Sequence, residues 1–157
     1  HYPTAIRFHG GHRLTDKGAM HYLLPLIRQI DDNQTGRQRP IVFIDTNTMA
    51  DSYQKPLPSM HKAYEMLIER YDVYILAPSP TNAPNSLTGQ MAWVQQHLNA
   101  PAFNRVVFAN NANLLYGDYL ISRHEHPNFL GSSILFGGND LKTWDDVIVF
   151  FERLGGQ

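Results

Sequence analysis

The chain has 157 residues, 43% hydrophobic and 17% charged, with 13 Lys and Arg against 14 Asp and Glu. That length supports a buried core without disulfides or a structural metal, and the lack of cysteine excludes both a disulfide scaffold and thiolate catalysis. A net charge of −1 with no cluster of Lys and Arg excludes a nucleic-acid backbone or an anionic membrane as partner, because counterion release needs clustered cations.

In chain order, residues 4–8 read as a strand and residues 15–30 as a helix capped by Thr15. Met20, Leu23, Leu24, Ile27 and Ile30 give that helix an apolar stripe, with a bend expected at Pro25. Residues 31–40 read as an exposed linker. Residues 1–39 are therefore expected to form a strand-helix extension and residues 40–157 the main domain. The main domain opens with the aliphatic run Ile41-Val42-Phe43-Ile44, which stops at Asp45.

From there apolar runs and helical patterns alternate. Residues 59–70 place Tyr64, Leu67 and Ile68 on one helical face, and Val73-Tyr74-Ile75-Leu76 follows as a strand. Residues 86–98 place Met91, Val94 and Leu98 inward, ahead of the strand Val106-Val107-Phe108. Tyr119-Leu120-Ile121 and Ile134-Leu135-Phe136 are two more strands, the second turning at Gly137-Gly138. Residues 143–154 close the domain as a helix with Val147, Phe150 and Phe151 inward. Near-continuous aliphatic runs suit a mostly parallel sheet covered on both faces, and the alternation predicts a three-layer α/β/α Rossmann-like domain. Any site then lies at the carboxyl ends of the strands, where Asp45 and residues 77–80, 110–113 and 122–124 gather. No run approaches the roughly 20 apolar residues of a membrane span, and no basic-then-apolar leader opens the chain, so a cytoplasmic location is expected.

Several residues have plain structural readings. Asn47 and Asp51 read as turn residues, and Asn110-Asn111-Ala112-Asn113 as a loop and helix start, with anion binding as its alternative. Tyr71, Trp93 and Trp144 read as packing residues. His9-Gly10-Gly11-His12 and His124-Glu125-His126 place potential ligands together. Neither has a third ligand at a recognised spacing, so surface histidines are expected.

Three further segments, Glu69-Arg70-Tyr71-Asp72-Val73-Tyr74-Ile75-Leu76, Trp93-Val94-Gln95-Gln96-His97-Leu98 and Asn113-Leu114-Leu115-Tyr116-Gly117-Asp118-Tyr119-Leu120-Ile121, follow Ile44-Asp45-Thr46-Asn47-Thr48-Met49-Ala50-Asp51 in order. Over residues 41–151 the chain resembles the 5′(3′)-deoxyribonucleotidases of the haloacid dehalogenase superfamily. The resemblance implies a Mg²⁺-dependent phosphatase fold in which a first Asp forms an aspartyl-phosphate and a second is acid and base. A Ser or Thr, a Lys and metal-binding Asp residues complete that site.

Carried across, Asp45 stands at the nucleophile position and Asn47 at the acid/base position, where an amide moves no proton. Ala77 replaces the hydroxyl residue, with Ser79 as a substitute for phosphate binding beside Asn111, and Ala112 replaces the Lys. Ser122 and Arg123 replace the metal-binding acids. Arg123 is therefore expected within salt-bridge reach of Asp45, in the position of the metal. The family's cap is missing as well, since only seven residues, 52–58, separate Asp51 from the next helix.

Two readings follow. The first is a catalytically impaired homologue acting as a binding or interaction protein, without a cofactor, with a nucleotide or phosphate as ligand and a homo-oligomer formed through the N-terminal segment. The second is a weak or altered Mg²⁺-dependent phosphatase of (deoxy)nucleoside monophosphates, using Asp45 with Ser79 and Asp51 or Asp118.

Overall fold

The computed structural model describes residues 39–155. The expected strand over residues 4–8, the helix over residues 15–30 and the oligomer contact assigned to them lie outside the described residues. The described elements are β1 (Ile41–Asp45), α1 (Met60–Arg70), β2 (Asp72–Ala77), α2 (Asn85–His97), β3 (Val106–Phe108), β4 (Tyr116–Ser122), β5 (Leu130–Leu135) and α3 (Trp144–Gly155).

The strands form one parallel sheet in the order β3-β2-β1-β4-β5, with Ile44 of β1 beside Ile75 of β2 and Ile121 of β4. With its helices this is the arrangement of a three-layer α/β Rossmann-like fold. The chain runs outward from β1 through β2 to β3, then returns to the other side of β1 for β4 and β5. The switch point thus falls between β1 and β4, where open parallel sheets form their crevice.

Helix α1 forms because Met60, Ala63, Tyr64, Leu67 and Ile68 repeat at helical spacing and all are buried. Helix α3 buries Trp144, Val147, Ile148 and Phe151. Its start is fixed reciprocally: Asp146 Oδ2 accepts from the backbone N–H of Thr143 at 3.2 Å, and Thr143 Oγ1 accepts from the N–H of Asp146 at 3.3 Å. These side chains meet Val42, Ile44, Val73, Ile75 and Ile121 in one core cluster.

The opposite sheet face carries Phe43, Leu76 and Leu120 in a smaller cluster with Ala112 and Phe129, which come from the β3–β4 and β4–β5 connections. Gly131, at φ +149°, lets β5 approach β4 there, since a Cβ would lie 2.3 Å from the carbonyl oxygen of Gly117.

Helix α2 departs from expectation. Val94 and, just past its end, Leu98 are buried as expected, but Met91 is 49% exposed. The helix leans on the core only near its carboxyl end, and the rest of its inner face borders a cavity.

Candidate functional site

At the switch point Asp45 and Ser122 end two adjacent strands. The Asp45 carboxylate caps the turn that follows β1, Oδ1 accepting from the backbone N–H of Asn47 at 3.1 Å. Its other oxygen, Oδ2, accepts from Ser122 Oγ at 2.9 Å. Ser122 is fully buried, and its hydroxyl also accepts from the backbone N–H of His124 at 3.2 Å and from Asn47 Nδ2 at 3.5 Å. Where the resemblance calls for a metal-binding carboxylate, a neutral hydroxyl therefore joins β1 to β4.

Arg123 does not pair with Asp45. Its Nε donates to the backbone carbonyl of Asn47 at 2.7 Å, its own N–H donates to Asn47 Oδ1 at 3.2 Å, and its guanidinium lies 5.0 Å from the Phe136 ring centroid. The expected salt bridge fails because the chain direction after β4 aims the side chain at the turn, where a carbonyl and an aromatic face together hold a cation. Gly137 makes room: at φ +84°, its missing Cβ would lie 2.9 Å from the Arg123 guanidinium.

The turn is pinned from below as well. Thr48 Oγ1 donates to the carbonyl of Asp45 at 2.7 Å, and the indole N–H of Trp144 donates to the carbonyl of Thr48 at 2.8 Å.

Magnesium requires near-octahedral oxygen ligands, with carboxylates offsetting its charge. The oxygens converging here are one carboxylate, one hydroxyl and one peptide carbonyl, and the carbonyl already accepts from a guanidinium. This donor set holds fewer carboxylates than the resemblance implies for Mg²⁺. Among the described residues no group of three His, Cys, Asp or Glu stands close enough to hold a metal.

Asp118, considered as a recruited acid, accepts from the N–H of Ile41 at 2.7 Å. Ile41 begins β1, about 13 Å of extended chain from Asp45, so Asp118 belongs to the far edge of the sheet. Ser79 is held by Asn110, its N–H donating to Asn110 Oδ1 at 2.7 Å and its carbonyl accepting from Asn110 Nδ2 at 3.1 Å. Asn111 caps its own turn through the N–H of Asn113. Asp51 Oδ1 accepts from the N–H groups of Tyr53 and Lys55, as a turn residue should.

Beside this cluster lies a cavity of about 860 Å³. Asp45 and Asn47 form its floor, with Ala112, at the degenerate Lys position, at its edge; Ser79, Asn111, Ser122 and Arg123 are not among the described lining residues. Its long wall is α2, through Ser86, Gly89, Gln90, Trp93 and Gln96. Trp93 is therefore a cavity wall as well as a packing residue. Its indole N–H donates to the carbonyl of Gln54 at 2.8 Å, and its ring packs at a tilt of 41° against His97, centroids 4.6 Å apart.

Ser86 and His126 are among the lining residues, and their Oγ and Nε2 atoms are buried without a hydrogen-bond partner among the described residues. An unpaired buried polar group of this kind costs about 1–3 kcal/mol. Gly89 stands in the interior of α2, which costs about 1 kcal/mol relative to alanine, yet a Cβ there would meet no atom within 4 Å. This wall is faint in the sequence. Its one signal is an unexplained helical glycine within a polar stripe.

Comparison with known proteins agrees with the fold. No protein-family model matches the chain. It is 28% identical over 102 residues to a Vibrio phage KVP40 protein whose name provisionally assigns it as a 5′(3′)-deoxyribonucleotidase, covering 63% of this chain and 60% of that one. Over 72 residues it is 31% identical to proteins of Bacillus subtilis strain 168 and Bacillus phage SPbeta named 5′(3′)-deoxyribonucleotidase, covering 45% of this chain and 41% of each relative. The matches thus span well under two-thirds of these relatives' length. In sequence, the chain resembles the 5′(3′)-deoxyribonucleotidases.

Proposed function

We propose that this chain is a nucleotidase-like domain in which the hydrolytic machinery is replaced by a fixed hydrogen-bonded cluster, leaving a protein that binds its ligand without cleaving a phosphate ester. The observation that carries this reading is the 2.9 Å bond from Ser122 Oγ to Asp45 Oδ2, which ties the nucleophile-position carboxylate to a neutral side chain. Attack by Asp45 on phosphorus needs a cation to offset repulsion. Two like unit charges 4 Å apart repel by about 4 kcal/mol near a protein surface, and a phosphate dianion doubles the charge. Arg123 is engaged by the Asn47 carbonyl instead, and Asn47 cannot protonate the departing alkoxide.

The test is release of inorganic phosphate from deoxynucleoside monophosphates and an aryl phosphate, with and without Mg²⁺, comparing the natural chain with Asp45→Asn. Equal, background release from both is expected. Mg²⁺-dependent release lost in Asp45→Asn would establish the phosphatase reading instead.

A further inference from the structure

The two edges of the sheet are built differently. At one edge β3 has three residues and follows Arg105, whose guanidinium pairs with Asp72 and lies 4.9 Å from the Tyr74 ring centroid. A short strand flanked by charge is a poor template for another chain. At the other edge β5 has six residues, and residues 128–139 contain no charged side chain and no proline. The N–H of Phe136 donates to the carbonyl of Ser122 at 2.8 Å, so alternation turns the N–H and carbonyl of Ser133 and Leu135 away from β4, onto the open edge. Leu130, Gly131, Ser132 and Ser133 are exposed, which leaves this part of β5 uncovered on both faces as well. Leu130 is 64% exposed and lies in register with Tyr116, itself 74% exposed, so apolar surface continues from the edge onto β4.

We propose that β5 is an interface at which a second copy of this chain pairs edge to edge, antiparallel about a two-fold axis beside Ser133, joining two five-stranded sheets into one. Backbone groups along an open edge are completed by another strand, and the strand that fits here is an identical one. β5 offers no charge to select an oppositely charged partner, and two copies meet there without like-charge repulsion. With Ser133 on the axis, it exchanges both of its outward hydrogen bonds with its own copy, and Leu135 stands opposite Gly131, which has no side chain to collide with. Among the described residues each copy has one such edge, and the guarded β3 edge stops the array at two. The inference does not depend on whether Asp45 is hydrolytic.

Sedimentation velocity of the full chain over a concentration series tests the proposal, and twice the chain mass is expected. Ser133→Lys, which sets two like charges on the axis, should raise the dissociation constant at least about tenfold and leave the circular dichroism spectrum unchanged. Ser133→Pro, which removes only an outward N–H, should do the same and serves as the second variant if the lysine disturbs folding. Because the chain has no cysteine, Ser133→Cys introduces a single thiol, and directly opposed residues of such a pair stand about 5.5 Å apart, within disulfide reach. Oxidation should give a covalent dimer from Ser133→Cys and none from Ser52→Cys, an exposed position on the β1–α1 connection. A monomer at every concentration, as when another strand of the same chain fills the edge, would overturn the proposal. So would a dimer unaltered by both Ser133→Lys and Ser133→Pro, or equal cross-linking of the two cysteine variants.

Discussion

The Asp45 cluster and the α2 cavity lie side by side and handle their polar groups in opposite ways. In the cluster both carboxylate oxygens of Asp45, the Ser122 hydroxyl and the Asn47 amide are all engaged. Along the cavity, Ser86 Oγ and His126 Nε2 are buried and unpartnered, and Gly89 gives up helix stability for space. Tyr64 offers a third case. Its hydroxyl is also buried without a partner among the described residues, beside a much smaller pocket of about 10 Å³. A satisfied cluster holds the fold together, and an unsatisfied buried atom is a cost to it.

The contrast can be attacked by substitution, beginning with the largest effect. Trp144→Ala removes a fully buried side chain and the donor to the Thr48 carbonyl, and should destabilise the domain by about 3–5 kcal/mol in urea unfolding. Ser122→Ala leaves Asp45 Oδ2 without its donor and should cost about 1–3 kcal/mol by the same measurement. A loss no greater than that of an exposed serine would show that the cluster is not structural.

Burial raises the Tyr64 phenol well above its ordinary value of 10.0, so the folded state keeps a proton that the unfolded chain releases. Stability contributed by the neutral phenol is complete below pH 10 and falls as pH rises beyond it, by about 1.4 kcal/mol per pH unit. Tyr64→Phe should flatten that slope and leave neutral-pH stability unchanged or slightly higher. Tyr71, raised first by burial and then by neighbouring Tyr119, should retain a smaller slope of the same sign.

On the cavity side the expected sign reverses. Gly89→Ala should stabilise the unliganded protein by about 1 kcal/mol in thermal unfolding, since alanine favours the helix and meets nothing. Ser86→Ala should stabilise the domain by about 1 kcal/mol in the same measurement, because it removes a buried hydroxyl with no partner among the described residues.

The sheet was legible because its strands are centred on aliphatic runs, although β4 begins at Tyr116, three residues ahead of the run Tyr119-Leu120-Ile121. The fifth, β5, begins at Leu130, four residues ahead of the apolar run. Its Leu-Gly-Ser-Ser start is exposed and becomes strand only by pairing with β4. Helices α1 and α3 were legible because they lie flat on the core, and the inner face of α2 was not, because it looks onto a cavity rather than onto side chains. Asp45 could be placed from its strand end. The partner of Arg123 could not, since a peptide carbonyl and a ring face leave no signature in a sequence.

The bond from Trp144 to Thr48 spans 96 residues of chain. During synthesis the turn after β1 emerges early, yet its carbonyl waits for the last helix before it is anchored. Closing so long a loop comes late and at an entropic cost that only the assembled core repays. The turn beside the cavity is therefore made 96 residues before the helix that anchors it, and a chain truncated before residue 144 loses the anchor of its own candidate site.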